Sequence, residues 1–190
     1  GMFMIILLGD IDLSVGSMYA FIGVISAIVF KTTESTCLTL IVALALGIAI
    51  GLFNGIFTAK FRVPAFITTL ATMSICRGFA YIITGGSPIG VTNPKFTFLG
   101  TGYVFNLIPL PVIFMIIVLI LGMILVKHTR FGRYIYSCGG NAQAAKWSGI
   151  NVEKIRITVY VIAGFLNGFA AIILAGRLGG GLPATGEGSE

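Results

Sequence analysis

Four stretches of the chain, 38–59, 64–84, 104–126 and 157–176, are nearly unbroken runs of apolar residues, and a fifth, 14–30, is slightly shorter. A helix needs about 20 apolar residues to cross a hydrocarbon core of roughly 30 Å, so each run predicts a membrane-spanning helix. None shows the strict alternation of a strand with one wetted face, which argues against a spanning barrel. Lipid demands that every backbone polar group be paired internally, and helices are then what remains. The pattern predicts an all-α integral membrane protein, a polytopic helical bundle of about five spans.

Small residues interrupt these runs at regular intervals. Gly47, Gly51 and Gly55 recur every fourth residue and so share one face of their helix, while Gly164 and Gly168 repeat the device in the last span. Such stripes let a second backbone approach closely. The expectation is helix packing within a multi-helix bundle, with a part in gating as the sharper alternative.

Composition agrees with the pattern. Of 190 residues, 57% are hydrophobic and only 9% charged, with a mean hydropathy of +1.05, against roughly a quarter charged in a soluble domain. The net charge of +6 would raise the question of nucleic acid in a soluble chain. Here the basic residues fall between apolar runs and serve as topology signals, so no nucleic-acid partner is expected and the lipid bilayer is. If the segments containing Lys60 and Arg62, and Lys127, Arg130, Arg133, Lys146, Lys154 and Arg156, face the cytoplasm, that side holds eight Lys/Arg. The opposite side holds only Lys31, Lys95 and Arg177. This asymmetry predicts that 31–37 and 85–103 are external and that 127–156 is a cytoplasmic loop. Gly, Pro and Asn punctuate 85–103, which reads as ordered turns with no regular element. Met2 to Leu8 is apolar but has neither a basic flank nor a cleavage site, so it is not read as a signal peptide.

Candidate chemistry is sparse. Cys37, Cys76 and Cys138 lie far apart and no Cys/His cluster occurs, so neither a metal site nor a disulfide framework is expected. No catalytic constellation is expected either. The segment Gly9-Asp10-Ile11-Asp12-Leu13-Ser14 sets two carboxylates beside membrane-length apolar residues. Ionisable groups there are tolerated where they face protein, water or a pathway. One reading is a helix break beside a pathway, with Ser14 capping the next helix; the other is a plain cytoplasmic turn capped by Asp12 or Ser14. Arg77 stands seven residues before the external end of its span, about 10 Å of helix, a distance an arginine spans by snorkelling or by reaching a neighbouring carbonyl. Asn54 and Asn167 read as interhelical hydrogen-bonding residues, and His128 as a solvated loop residue.

In the cytoplasmic loop, Asn141 is a good N-cap, Ala142 to Ser148 contains strong helix formers, and Gly149 supplies a left-handed stop. These predict a two-turn helix outside the membrane. So short a helix is marginal in water. Either the bundle's own cytoplasmic ends hold it or a partner protein does.

Several motifs together are recognisable. Ile11-Asp12-Leu13-Ser14-Val15-Gly16, Gly51 to Gly55 followed by Lys60-Phe61-Arg62-Val63-Pro64-Ala65-Phe66-Ile67-Thr68-Thr69-Leu70, and Arg77-Gly78 with Thr84-Gly85-Gly86 occur in that order. They are followed by Phe131-Gly132-Arg133-Tyr134, Gly139-Gly140-Asn141, Ala144-Ala145 and Ser148-Gly149-Ile150-Asn151. The chain thereby resembles the ribose/xylose-type permeases of bacterial ABC importers over nearly its whole length. It departs at Gly9-Asp10, where that family commonly has a glycine pair. The family also has further helices at both ends, so the resemblance implies that 1–190 is a partial permease transmembrane domain.

The resemblance implies a multi-pass protein of the bacterial inner membrane that passes a monosaccharide such as ribose or xylose. It implies three partners: a cytoplasmic ABC ATPase, a periplasmic or surface sugar-binding protein, and a second permease copy, most simply as a homodimer. ATP and Mg would sit on the ATPase and no cofactor on this chain, which has no GxxxxGK[ST] sequence. The helix carrying Asn141, Ala144, Ala145, Ser148 and Gly149 corresponds to the coupling helix that docks on the ATPase, with Ala144 and Ala145 packed against it. Asp12, Ser14, Asn54, Thr69 and Arg77 are the residues expected to line the passage. Two rival classes remain on residues alone: an ATP-independent secondary transporter or channel in which Asp12 and Arg77 couple ions or protons, and a membrane anchor without transport activity.

Overall fold

A computed structural model describes residues 1–104 and 107–188. Five of its helices are long and apolar enough to cross a membrane: α2 (Val15–Thr33), α3 (Thr36–Ala59), α4 (Ala65–Thr84), α6 (Leu110–His128) and α9 (Val152–Leu178). Four shorter helices complete the helical set among the described residues: α1 (Met2–Leu7), α5 (Pro94–Thr101), α7 (Arg130–Gly140) and α8 (Ala142–Trp147). Two small antiparallel pairings join β1 (Ile89–Gly90) to β4 (Gly180–Gly181) and β2 (Tyr103–Val104) to β3 (Ile108–Pro109).

The bundle is organised on α9, which packs along α3 and also against α2 and α5. The glycine stripes explain the α3–α9 contact. A methyl group on Gly47 would overlap the carbonyl oxygen of Gly164, one on Gly51 would overlap that of Tyr160, and one on Gly168 would overlap that of Ala43. Gly55 sits against the backbone of Ile157 in the same way. The two stripes therefore face each other, and the helices touch main chain to main chain. By contrast α6 is almost wholly exposed along Met115, Ile116, Leu119, Ile120 and Met123, the surface a span offers to hydrocarbon.

The ends of the spans follow local chemistry. Ser35 caps α3 by accepting from the Leu38 N–H (3.4 Å), Gly85 closes α4 with φ +59°, and Gly179 closes α9 with φ +70°. On the side that the charge asymmetry assigns as external, α5 lies against α9, where Gly100 allows the backbones of Ile173 and Gly176 to come close, and Phe96 packs against Phe30 at 5.2 Å. The external segment 85–103, expected to hold turns only, thus contains a helix and two short strands. Asn93 accepting from the Lys95 N–H (3.0 Å) and Pro94 at the first helical position are the start signal that pattern reading passed over. The span expected at 104–126 begins at Leu110, because Tyr103–Val104 and Ile108–Pro109 pair with each other instead.

The larger correction concerns 127–156. Three caps divide it: Thr129 accepts from the Gly132 N–H (3.1 Å), Asn141 from the Ala144 N–H (2.9 Å) and Asn151 from the Lys154 N–H (2.9 Å). They start α7, α8 and α9 in turn, so an eleven-residue helix, α7, precedes the expected short one. Its inward residues Ile135 and Cys138 join Met4, Ile5 and Leu8 of the first helix and turn, Val126 of α6, and Val159, Tyr160 and Ala163 of α9 in one buried cluster. Gly132 and Gly139 permit this, since a methyl on either would strike the carbonyls of Val126 or Leu7.

This burial changes how topology is tested. Cys138 is buried, and burial also pushes its thiol up from the ordinary range, outweighing the opposite pull of the Arg156 guanidinium. Reactivity follows the thiolate, so Cys138 should stay silent from either side. The exposed neighbour Ser137 is the usable reporter. In intact spheroplasts an impermeant thiol reagent is expected to label Cys37, which is exposed at the external start of α3, and to label a Ser137→Cys variant only after permeabilisation. Labelling of Ser137→Cys before permeabilisation would invert the assigned orientation.

Candidate functional site

Between α1 and α2 the chain leaves helical geometry at Gly9 (φ +79°) and runs irregularly to Ser14. Asp12 Oδ1 accepts from the Ser14 N–H (2.9 Å) and from Ser14 Oγ (2.6 Å). The aspartate makes this turn; Ser14 occupies the N-cap position of α2, but its side chain makes no cap hydrogen bond. Ser14 Oγ in turn accepts from Asn54 Nδ2 (3.2 Å), and Asn54 Oδ1 accepts from Thr72 Oγ1 (2.6 Å). One chain of hydrogen bonds therefore ties α2, α3 and α4 together. Thr69 Oγ1 adds a bond to the Ile11 carbonyl (3.3 Å), and Asp10 Oδ2 lies 3.1 Å from Arg156 Nε and 3.4 Å from the Tyr160 hydroxyl.

Asn54 stands five residues from the cytoplasmic end of α3 and Thr72 seven from that of α4, about 7–10 Å into the span. The linker is thus a helix break whose Asp12 and Ser14 are buried at that depth, while Gly9 and Ile11 stay exposed. Asp12, Ser14, Asn54 and Thr69 are all buried and partnered within this knot. In this conformation these four hold helices together.

Replacing Asn54 with leucine should lower the unfolding temperature. It leaves the Ser14 and Thr72 hydroxyls without their shared partner, a loss of about 1–3 kcal/mol. A melting curve indistinguishable from wild type would show that the knot contributes nothing. Asn167 has a weaker counterpart, with its Nδ2 3.8 Å from Met18 Sδ.

Arg77, the fifth expected passage residue, reaches neighbouring carbonyls. Its Nη1 donates to the carbonyl oxygens of Pro183 (2.8 Å) and Thr185 (2.7 Å). These belong to the segment that follows α9, which turns back into the bundle. Gly181 lies against Val24 of α2, and Gly186 lies against Gly16, eight residues closer to the cytoplasm, a descent of about 12 Å along that helix. Beside it, the Tyr81 hydroxyl donates to Glu187 Oε1 (3.3 Å). Neither Tyr81 nor Glu187 was legible as a site residue, because the contact spans 106 positions of sequence.

On the cytoplasmic side α8 appears as expected, from the Asn141 cap to Gly149 at φ +83°. Its two alanines differ. Ala144 is exposed, whereas Ala145 is 4% exposed and packs in the chain's own cluster. Both alanines were expected to face a partner; within this chain Ala145 packs inward, so the bundle itself helps to hold this short helix. The surface left outward is Asn141, Gln143, Ala144, Lys146, Trp147 and Ser148, with Trp147 80% exposed. Sequence reading passed over Trp147, although a lone tryptophan in a polar loop, with Gln143 and Ala144 as its helical neighbours, was a usable signal. Among the described residues, no group of three or more His, Cys, Asp or Glu could hold a metal ion.

Comparison with known proteins places this geometry in context. Residues 1–189 match the family described as Branched-chain amino acid transport system / permease component. The whole chain is 41% identical to the ribose import permease protein RbsC of Haemophilus influenzae, of which it covers 60%. It is 43% identical to RbsC of Escherichia coli strain K12, again over 60% of that protein. It is 41% identical to the L-arabinose transport system permease protein AraH of the same strain, over 58% of it. The chain therefore spans about 60% of the length of these relatives. No solved structure matches it.

Proposed function

The chain belongs to the permease family just described, and from this premise we propose that it is the membrane-spanning part of an ATP-driven importer for a monosaccharide. The family description names branched-chain amino acids, but relatives at 41–43% identity over the whole chain are ribose and arabinose permeases. Identity of that extent supports a pentose over an amino acid. Its place is the bacterial inner membrane, with a cytoplasmic ATPase beneath it, a sugar-binding protein outside and a second permease copy alongside.

The observation that carries the coupling part of this reading is α8. It is a short helix capped at both ends and fixed to the bundle through Ala145, and it presents an exposed tryptophan on the side to which the basic loops assign the cytoplasm. Large aromatic side chains in the open are unusual on a finished surface and are the commonest anchors of protein interfaces. A cleft on the ATPase that receives Trp147 would move α8, and with it α9, when nucleotide closes the ATPase. The bundle then changes the side on which it is open.

The test is expression of the full-length permease with its ATPase and binding protein, followed by uptake of labelled D-ribose and L-arabinose. ATP-dependent uptake of either sugar supports the reading. Uptake driven by an ion gradient without ATPase, or of a branched-chain amino acid in place of a sugar, would overturn it.

A further inference from the structure

The spans expose apolar side chains to lipid, yet one strip of α4 does not fit that surface. Ser74, Gly78 and Tyr81 share a helix face by their spacing of four and three. Ser74 is exposed, nothing lies within 4 Å of the position a methyl on Gly78 would take, and Tyr81 is 40% exposed. Along the same edge the segment after α9 descends into the bundle, with Glu187 exposed and bonded to the Tyr81 hydroxyl. Glu187 directly follows Gly186, which lies against Gly16, the second residue of α2, so this carboxylate sits inside the span and not at its rim. A carboxylate there is not stable against hydrocarbon and faces water or protein. Irregular backbone at that depth obeys the same limit.

We propose that this strip of α4 and the descending segment form a wall of the sugar passage, with Tyr81 and Glu187 as its sugar-contacting groups. The proposal rests on the monosaccharide reading above and names a site for it. The chemistry suits a neutral polyhydroxyl ligand. A carboxylate accepts from sugar hydroxyls, a phenol both donates and accepts, and the phenol ring offers an apolar face to the C–H side of the sugar. The gap over Gly78 leaves room for it. Arg77 acts as a positioning residue: by bonding the Pro183 and Thr185 carbonyls, it fixes the backbone two residues before Glu187. This strip lies on the opposite side of Thr72 from the buried knot around Asp12 and runs from about half a turn to two and a half turns further out along α4.

The experiment uses the full-length permease with its ATPase and binding protein, in membranes, with Cys37, Cys76 and Cys138 replaced by serine. Single cysteines at Ser74, Gly78 and Ile75 are treated with a small impermeant cationic thiol reagent from each side. Ile75, exposed on the neighbouring apolar face, is the lipid-facing control. Gly78→Cys and Ser74→Cys are expected to react at least tenfold faster than Ile75→Cys, and D-ribose or L-arabinose should slow them. Glu187→Gln is expected to raise the sugar concentration for half-maximal uptake about tenfold while ATPase co-purification stays unchanged. If Gly78→Cys reacts no faster than Ile75→Cys from either side, the strip is covered and the proposal fails. Fast labelling that sugar does not slow, with unchanged half-saturation in Glu187→Gln, would remove the sugar contact. Wild-type protein that takes up neither sugar would instead sink the monosaccharide reading, while the accessibility comparison still decides whether this wall meets water.

Discussion

Replacing Gly164 with leucine should lower the unfolding temperature of the permease by about 4–8 °C, whereas the same change at Gly122 should leave it equal or slightly raised. At Gly164 the added Cβ would run into the Gly47 carbonyl and press on the Gly51 Cα. The obstacle is main chain, which cannot rotate away as a side chain would. Overpacking of this kind costs about 3 kcal/mol, and in a chain of this size each kcal/mol shifts the midpoint by roughly 2–4 °C. Helix propensity acts the other way, since leucine gains up to about 1 kcal/mol over glycine, but the clash is the larger effect. At Gly122 nothing lies within 4 Å, so only the propensity gain remains there. Alanine at Gly164 makes a sharper comparison, because the overlap is already complete at the first carbon. Equal melting of the Gly164 and Gly122 variants, measured by thermal unfolding in detergent, would mean that α3 and α9 are not in backbone contact.

A second large effect separates two positions only two residues apart. Ala145→Glu should deplete the protein from the membrane, and Trp147→Ala should leave its abundance normal while the ATPase no longer co-purifies. Ala145 is buried against Leu8, Ile135 and Val159 in one cluster, so glutamate there places an unpaired charge in an apolar contact at a cost of about 3–5 kcal/mol. Trp147 is open, and its removal costs the fold little. An anchoring tryptophan is commonly worth about 2 kcal/mol or more to an interface, about a thirtyfold weakening of docking. If Trp147→Ala retains the ATPase and Ala145→Glu loses it at normal abundance, the assignment of inner and outer faces of α8 is reversed.

That reversal of roles marks where sequence reasoning stopped. The spans were legible because about 20 apolar residues in lipid have few alternatives to a helix, and α8 was legible from a local cap and stop. The glycine stripes were legible as packing faces, though their partner was not, since Gly47 and Gly164 are joined only by the fold. Which side of α8 faces inward depends on α1 and α7, and α7 was itself missed. Its apolar positions, Phe131, Ile135 and Cys138, do recur at helical spacing, but they lie among arginines and tyrosines that read as loop. The hydrogen-bonded knot around Asp12 escaped notice for a related reason. Asp12, Ser14, Asn54 and Thr69 are polar residues in apolar surroundings, and sequence cannot distinguish a group that faces water from one that faces another polar group. Glu187 and Tyr81, which meet across the folded chain, carried no local signal.

The backbone seam between α3 and α9 bears on how force travels through the molecule. Along the glycine stripes little but main chain separates the two helices, which would let them move as one beam, and α9 alone is 27 residues, about 40 Å long. The beam begins at Asn151, just past α8, and ends at Gly179, next to the strand pair formed by Ile89 and Gly181. A tilt of only about 5° about the cytoplasmic end would carry the far end some 3.5 Å, enough to open or shut a gap the size of a water molecule. On the coupling reading proposed above, such a lever would carry a small tilt of α9 near α8 to the external face, where the descending segment starts.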